Sequence, residues 1–222
     1  MIIVWSQAME AATLHLRTCD PVLAKIIKRI GPCQLANREP TQARRAVDAR
    51  CARSHFETLA RSITFQQLHG KAAATIFDRV KKAVGRRFTA TAFLRLTPEQ
   101  LRACGLSRQK IASLTDLAEH VASRRINFRK LHALEDAEVI ALLSEVRGVG
   151  VWTAQMFLIF ALRRPNVMPL EDLGIRNAVR KAYALAEMPK SAELAKIAEK
   201  WHPHCSVASW YLWRSLDGAA DL

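Results

Sequence analysis

The sequence has no stretch long and apolar enough to span a membrane. Its opening, residues 1–5, lacks the charged start and the extended apolar run of a secretory signal peptide. We therefore expect an intracellular protein that is not secreted. It would lie in the cytoplasm or nucleoid of a bacterium, or in the nucleus of a eukaryotic cell.

The five cysteines are odd in number and widely scattered, and none of them forms a Cys-x-x-Cys pair. This pattern indicates neither a disulfide framework nor a zinc or iron–sulfur site. His202 and His204 alternate but have no third ligand in view, so we expect no metal held by side chains. The cysteines are interpreted as reduced, structural thiols.

Strand-like alternation is nearly absent, and helical periodicity dominates the chain. Asp20 is the expected N-cap of the first clear helix, and Thr97 begins another in capping-box style. We predict a compact, all-α fold of two helical lobes with a cleft between them. Residues 54–162 form the central lobe, and residues 18–53 with 163–222 form the second. Helices are predicted at about 21–30, 54–64, 69–84, 107–123, 151–162, 173–184, 191–201 and 205–216, with a loop over 34–53.

Positive charge is in large excess: 34 Lys and Arg stand against 20 Asp and Glu, for a net charge of +14 and a pI of about 10.2. A balance of this kind favours a polyanionic partner, most often nucleic acid. The charge alone also fits a merely basic soluble protein.

The most informative segment runs from residue 145 to residue 172. Gly148 and Gly150 bracket Val149 between two apolar helical runs. Glycine at such positions permits positive φ and close backbone approach to another molecule. The next helix is predicted to begin at about Val151, so that its free N–H groups and positive dipole end suit a phosphate. Asp172 follows after that helix and a proline-containing loop.

These residues resemble a known family. Residues 146–154 read Val-Arg-Gly-Val-Gly-Val-Trp-Thr-Ala and are similar to the hairpin of the helix–hairpin–helix (HhH-GPD) DNA glycosylase superfamily. Residues 169–174 read Pro-Leu-Glu-Asp-Leu-Gly and match the end of its signature. Segments at 20–33, 56–68 and 210–214 look like the 3-methyladenine DNA glycosylase II branch. The resemblance implies the short form, without an N-terminal β domain.

The resemblance implies that Asp172 is catalytic. Cleavage of an N-glycosidic bond builds positive charge on the sugar, which a nearby carboxylate stabilises while it positions the attacking water. The neighbouring Glu171 is the competitor, but the family places its aspartate directly before Leu-Gly. From the residues alone, Asp172 is also a plausible helix N-cap, and both roles are compatible.

Trp152 stands where related bifunctional enzymes carry a Schiff-base lysine, so the resemblance implies hydrolysis without strand cleavage. It also places Trp152 in the base pocket, where an indole suits a flipped, electron-poor base; the alternative is core packing. Met156 and His204 occupy pocket positions that are more aromatic in other family members. The substrate range therefore stays open.

The break at residues 66–68 resembles the family's intercalating turn. Leu68 matches the wedge that fills the space left by the flipped nucleotide, and Gln67 would face the widowed base. A leucine in a helical protein is otherwise usually core. The hairpin, Arg147–Gly148–Val149–Gly150, should bind phosphates through backbone N–H groups, with a Na⁺ or K⁺ ion bridging through its carbonyls. Arg108 and Lys110 are weaker phosphate candidates, with solvated surface as the default.

Together the sequence predicts a monomeric, monofunctional DNA glycosylase of base excision repair. It would act on double-stranded DNA that contains damaged bases and excise alkylated purines of the 3-methyladenine and 7-methylguanine class. Two alternatives remain: a glycosylase of different base specificity or with lyase activity, and a noncatalytic, structure-selective DNA-binding protein.

Overall fold

The computed structural model describes the backbone of residues 2–35 and 54–217, and side chains from residue 8 onward. Most of the loop predicted over 34–53, together with Cys51, lies outside these residues. Within the described ranges the elements are all helical, which confirms the all-α prediction. They are α1 Ile2–Cys19, α2 Pro21–Ile30, α3 His55–Phe65, α4 Gly70–Val84, α5 Ala90–Phe93, α6 Pro98–Ala103, α7 Arg108–Ala122, α8 Asp136–Ser144, α9 Val151–Phe160, α10 Leu173–Ala182, α11 Ser191–Ala198 and α12 Cys205–Leu216, with 3₁₀ turns at Leu131–Ala133 and Glu199–Trp201.

Helix boundaries follow the capping residues in the sequence. Thr97 and Gln100 form the predicted reciprocal capping box, and Asp20 accepts the N–H groups of Val22 and Leu23 at 2.9 and 3.2 Å. No element was predicted before Asp20, whereas the structure has α1 there. This helix packs against α2 and α12 and buries residues 12 and 16, one helical turn apart. None of the described helices is long and apolar enough to cross a membrane.

The chain divides into two compact units, residues 47–162 and residues 1–46 with 163–222. The first unit contains α3 to α9. In it, α7 packs against α3, α5 and α6, while α8 packs against α9. Helix α9 carries five buried residues out of ten, in agreement with the central, buried helix predicted there.

The second unit contains α1, α2 and α10 to α12. Helix α12 is its central element, because it packs against α10, α2 and α1. Trp201 and Tyr211 are among the largest fully buried side chains, and the Tyr211 hydroxyl donates to the carbonyl of Gly31 at 3.0 Å. This hydrogen bond joins α12 to the residue at which α2 ends.

A fully buried carboxylate lies within this second core. Besides the two backbone N–H groups of its own helix, Asp20 accepts the indole N–H of Trp201 at 2.8 Å and the hydroxyl of Tyr183, and pairs with Lys200 at 3.2 Å. Burial alone would raise the pKa of the Asp20 carboxyl. The hydrogen bonds from Tyr183, Trp201 and the backbone outweigh burial and hold that pKa below its ordinary value.

We expect Asp20→Asn to lower the free energy of unfolding by about 3 kcal/mol, because it leaves buried donors without their charged acceptor. Denaturant titration at neutral pH measures this loss. Asp78→Asn, at an exposed carboxylate, is the matched control and should change stability by less than about 0.5 kcal/mol. Equal effects of the two substitutions would contradict the role of Asp20.

The difference in the free energy of unfolding between wild type and Asp20→Asn should depend on pH. A lowered folded-state pKa means that the carboxylate stabilises the fold above the unfolded-state pKa, near about 4. The stabilisation is lost as pH falls through the still lower folded-state pKa. The gap between wild type and Asp20→Asn should therefore be constant near neutrality and shrink below about pH 4.

Candidate functional site

The predicted glycine hairpin connects α8 to α9. Gly148 has φ +78°, a conformation that favours glycine, and the N–H of Val149 donates to the carbonyl of Val146 at 3.0 Å. Gly150 differs from the expectation: its φ of −93° and ψ of 175° are extended backbone open to any residue. A Cβ at Gly150 would meet no atom within 4 Å. Only Gly148 therefore needs glycine for its backbone conformation.

One face of α7 supports this hairpin. A Cβ at Gly148 would lie 2.7 Å from the hydroxyl oxygen of Ser113, a buried residue of α7. The Oδ2 atom of Asp116 accepts the N–H of Arg147 at 2.7 Å. Glycine is thus required at position 148 for two reasons, the positive φ and the close approach of the backbone to Ser113.

The hairpin presents backbone donors. Among the described residues, no hydrogen-bond partner is assigned to the N–H of Gly148 or of Gly150. Gly150 is the N-cap of α9 and provides no side chain to satisfy the first turn of the helix. The N-terminus of α9 begins at Val151, as predicted, and the positive end of its dipole lies beside these donors.

The predicted break over residues 66–68 is a turn between α3 and α4. Gln67 is exposed and has φ +55°, and Leu68 is 40% exposed. Leu68 is therefore not a core residue, so the alternative interpretation of Leu68 as part of the core is wrong. Its action as a wedge stays a prediction.

Lys110 has a role that the sequence analysis missed. Its Nζ donates to the carbonyls of Thr64 and Gln66 at 2.6 and 2.8 Å, which places a cation on the C-terminus of α3. Burial lowers the pKa of the Lys110 amine below its ordinary value. Lys110 is therefore a half-buried structural residue and not solvated surface, because two of its three donors bind backbone carbonyls. Phosphate binding by Lys110 stays a prediction. Arg108 is exposed.

Gln66 joins the two turns. Its side-chain amide donates to the carbonyl of Gly148 at 2.9 Å, across 82 residues of sequence. The same residue's carbonyl accepts from Lys110. The exposed turn with Leu68 and the glycine hairpin are therefore hydrogen-bonded directly to each other within one unit.

Trp152 and Met156 lie four residues apart on α9 and so share a face of the helix. Trp152 is 47% exposed and Met156 is half-buried. Core packing, the alternative for Trp152, is wrong because nearly half of the residue is accessible. Contact with a base stays a prediction.

Asp172 is the N-cap of α10 and is only 7% exposed. Its Oδ1 accepts two hydrogen bonds, from the N–H of Ile175 at 2.8 Å and from the indole Nε1 of Trp213 at 3.0 Å. The N-cap prediction is confirmed. Residues 210–214 were recognised only as a segment that resembles the family, and no contact between Trp213 and Asp172 was predicted.

The competitor Glu171 points to other partners. Its carboxylate accepts the hydroxyl of Ser191 and lies 4.0 Å from the guanidinium of Arg176. The side chain of Glu171 is 76% exposed. The two adjacent carboxylates thus differ in burial, and only Asp172 caps the helix.

The loop before Asp172 is held by α12. Ser206 is fully buried: its hydroxyl donates to the carbonyl of Arg164 at 2.6 Å and accepts the N–H of Val167 at 3.0 Å. Trp213, seven residues later on the same helix, donates to Asp172. One helix therefore fixes both ends of the loop.

His204 precedes α12 and is half-buried. Its ring packs edge-on against His15 of α1, with ring centroids 5.2 Å apart. Burial, and then the charge of His15, lower the pKa of His204 below its ordinary value. His204 and Asp172 belong to the unit of residues 1–46 and 163–222. Trp152, Met156 and Leu68 belong to the unit of residues 47–162. Over the described side chains, no group of three or more potential metal ligands occurs.

Comparisons with known proteins agree with this geometry. Residues 60–204 match the family model described as "HhH-GPD superfamily base excision DNA repair protein". The chain is 34% identical over 211 residues to DNA-3-methyladenine glycosylase 1 of Schizosaccharomyces pombe, which covers 94% of this chain and 88% of that protein. It is 27% identical to the alkylbase DNA glycosidase-like protein mag2 of the same yeast, over 92% of each chain.

Two solved structures are similar to the fold. The S. pombe 3-methyladenine DNA glycosylase Mag1 in complex with abasic DNA superposes with a TM-score of 0.76 at 34% identity, over 94% of this chain and 98% of that one. The DNA-3-methyladenine glycosidase of Bacillus halodurans gives 0.71 at 31% identity, over 90% and 91%. The family match and the similarity along nearly the whole chain show that this protein belongs to the HhH-GPD superfamily of base excision DNA repair proteins.

Proposed function

We propose that this protein is a monofunctional DNA glycosylase of base excision repair. It flips an alkylated purine, of the 3-methyladenine and 7-methylguanine class, out of double-stranded DNA and hydrolyses the bond to deoxyribose. The observation that carries the proposal is the 34% identity, over 94% of the chain, to a protein named DNA-3-methyladenine glycosylase 1. The hairpin, the capping aspartate and the net charge of +14 support it.

Asp172 supplies the carboxylate for this reaction. As the bond between C1′ and the base nitrogen breaks, its electron pair leaves with the base and the sugar becomes an oxocarbenium-like cation. A carboxylate fixed at a helix N-terminus stabilises that charge without rearrangement and orients the water that attacks C1′. The water proton passes to the carboxylate or to solvent. A methylated purine is already cationic and leaves as a neutral base, so that no general acid is needed.

Trp152 favours hydrolysis over lyase chemistry. An indole cannot form the Schiff base by which lyases cleave the strand, so the product is an intact strand with an abasic site. The exposed face of α9, with Trp152 and Met156, offers an aromatic and a polarisable surface to an electron-poor base. His204 provides a ring that stacks or hydrogen-bonds to a base.

DNA is held by its backbone. The N–H groups of Gly148 and Gly150 and the N-terminus of α9 suit a phosphate oxygen, which orients the protein without reading sequence. A Na⁺ or K⁺ ion bridging the hairpin carbonyls to a phosphate is compatible with neutral oxygen donors. The Gly148 carbonyl accepts a hydrogen bond from the side-chain amide of Gln66, and its second lone pair is still available to an ion. We expect the protein to act as a monomer.

We predict that Asp172→Asn slows release of alkylated bases by about 100-fold or more, because the charged acceptor at the sugar is lost. Affinity for duplex DNA with an abasic site should stay nearly unchanged, since the amide oxygen of asparagine still accepts the capping N–H of Ile175. Chromatography of the bases released from methylated DNA, with hypoxanthine- and ethenoadenine-containing duplexes alongside, measures rate and substrate range. Glu171→Gln, at the exposed adjacent carboxylate, is the matched control and should retain activity.

Each contrary result has a distinct meaning. Unchanged turnover in Asp172→Asn would remove Asp172 from the catalytic role, and loss in Glu171→Gln alone would transfer that role to its neighbour. Absence of base release from every substrate by the wild type would favour a noncatalytic DNA-binding protein. Borohydride trapping of a covalent protein–DNA adduct would favour a lyase.

Leu68→Ala should slow excision from fully paired duplex more than excision from substrates in which the damaged base is already unpaired. The reason is that a wedge offsets the cost of unstacking, about a few kcal/mol, which an unpaired base does not require. Single-turnover rates are measured on both substrates, and the rate on the paired duplex is divided by the rate on the unpaired substrate. Leu94→Ala, at another exposed leucine of the same unit, should leave the ratio at its wild-type value. An equal loss on both substrates would contradict the wedge.

Gln66→Met should weaken binding to abasic duplex by about two- to tenfold, the worth of one hydrogen bond, because it removes the donor to Gly148 while keeping side-chain size. Fluorescence anisotropy at fixed salt measures the affinity. Gln109→Met, at an exposed glutamine of α7, is the control. Unaltered affinity in Gln66→Met would mean that the two turns bind DNA independently.

A further inference from the structure

We propose that Trp213 is a positioning residue for the reaction: its indole N–H fixes the orientation of the Asp172 carboxylate. The inference rests on the proposed function, because Trp213 acts only through Asp172. Trp213 is half-buried near the C-terminal end of α12, and its Nε1 lies 3.0 Å from Oδ1 of Asp172.

The geometry supports a role beyond packing. The N–H of Ile175 and the indole N–H of Trp213 bind the same oxygen atom of Asp172. The χ2 torsion of aspartate is broad, so each donor that binds Oδ1 narrows the range of carboxylate orientations. The indole donor comes from another helix, 41 residues away, so it restrains the carboxylate from a direction that the backbone of α10 does not provide. Orientation of a reacting group within about an ångström affects rate strongly.

Gly174 leaves room for this contact. A Cβ at Gly174 would lie 3.0 Å from Oδ1 of Asp172 and 3.4 Å from Cδ1 of Trp213. Its φ is not in the positive range, so the backbone does not require glycine at this point of α10. Glycine lowers helix stability relative to alanine, and the close approach of the aspartate and the tryptophan accounts for its presence.

The remainder of α12 supports the pair. Ser206 binds both Arg164 and Val167 at the start of the loop, and Ser209, also fully buried, lies 3.8 Å from the sulfur of Met168. The loop that ends at Asp172 is therefore held at its beginning by this helix and at its end by Trp213. Since α12 also packs against α10, the donor and the acceptor are carried by helices in direct contact.

The test is Trp213→Phe, which keeps an aromatic ring and removes the N–H. Trp210→Phe, the same substitution three residues earlier at another half-buried tryptophan of α12, is the matched control. Single-turnover release of 7-methylguanine at saturating enzyme, affinity for duplex with a tetrahydrofuran abasic analogue, and the thermal midpoint are measured for both. We expect Trp213→Phe to lose about tenfold or more in rate, the worth of a hydrogen bond to a charged group, with abasic affinity within about twofold of wild type.

A double substitution separates this inference from the proposed function. In an Asp172→Asn background, Trp213→Phe should cause no further loss of rate, because it acts through the carboxylate. If Asp172→Asn is inactive while Trp213→Phe matches Trp210→Phe, the positioning role alone is overturned. If Asp172→Asn is fully active, the catalytic assignment fails and the positioning role fails with it. Parallel losses of rate, affinity and thermal midpoint in Trp213→Phe would show an ordinary packing role.

Gly174→Ala perturbs the contact between Asp172 and Trp213 without changing the tryptophan. It therefore tests the positioning role if Trp213→Phe does not fold. Alanine suits the helix, so the thermal midpoint should not fall by more than a few degrees. Its Cβ displaces the aspartate or the tryptophan, so the excision rate should fall several-fold. If Gly174→Ala keeps its thermal midpoint and excises the base at the wild-type rate, the positioning role of Trp213 is overturned.

Discussion

A carboxylate removed from water must be surrounded by donors, and two aspartates of the second unit show how this constraint organises the fold. Asp20 and Asp172 each cap a helix, and each also accepts an indole N–H from a tryptophan distant in sequence. Asp20 adds a tyrosine hydroxyl and a lysine and is fully buried. Asp172 keeps a small accessible surface. The same capping motif thus produces an inaccessible structural group in one place and, in the proposed function, a reactive one in the other.

In the unit of residues 47–162, one helix organises both turns. Lys110, Ser113 and Asp116 recur every three residues along α7 and contact, in order, the end of α3, the hairpin glycine and the hairpin amide before it. A spacing of three places them on neighbouring positions of one helical face. Both turns are therefore set by a rigid element, and they need little reorganisation before they meet a ligand.

Local signals in the sequence account for much of this structure. Capping residues, glycines and apolar periodicity predicted the starts of α2, α6, α9 and α10, the hairpin and the break over residues 66–68. The residues that were missed act through contacts between distant parts of the chain. Gln66 reaches Gly148 over 82 positions, Lys110 reaches Thr64 over 46 and Trp213 reaches Asp172 over 41. Such pairs leave no periodic pattern, because nothing in a polar or aromatic residue's neighbours specifies its partner. The extended conformation of Gly150 is that of a helix N-cap, which a residue other than glycine also adopts.

The division of the chain has a consequence for the order of folding. Residues 47–162 are continuous, whereas the other unit is assembled from residues 1–46 and 163–222. On the ribosome the continuous segment emerges complete while Asp20 still lacks Tyr183 and Trp201, which follow it by 163 and 181 residues. Contacts over such separations close late because their loop entropy is large. The scaffold of the glycine hairpin can thus form during synthesis, whereas the indole contact of Asp172 requires the chain through residue 213. The proposed chemistry therefore requires that Trp213 has been synthesised and has reached Asp172.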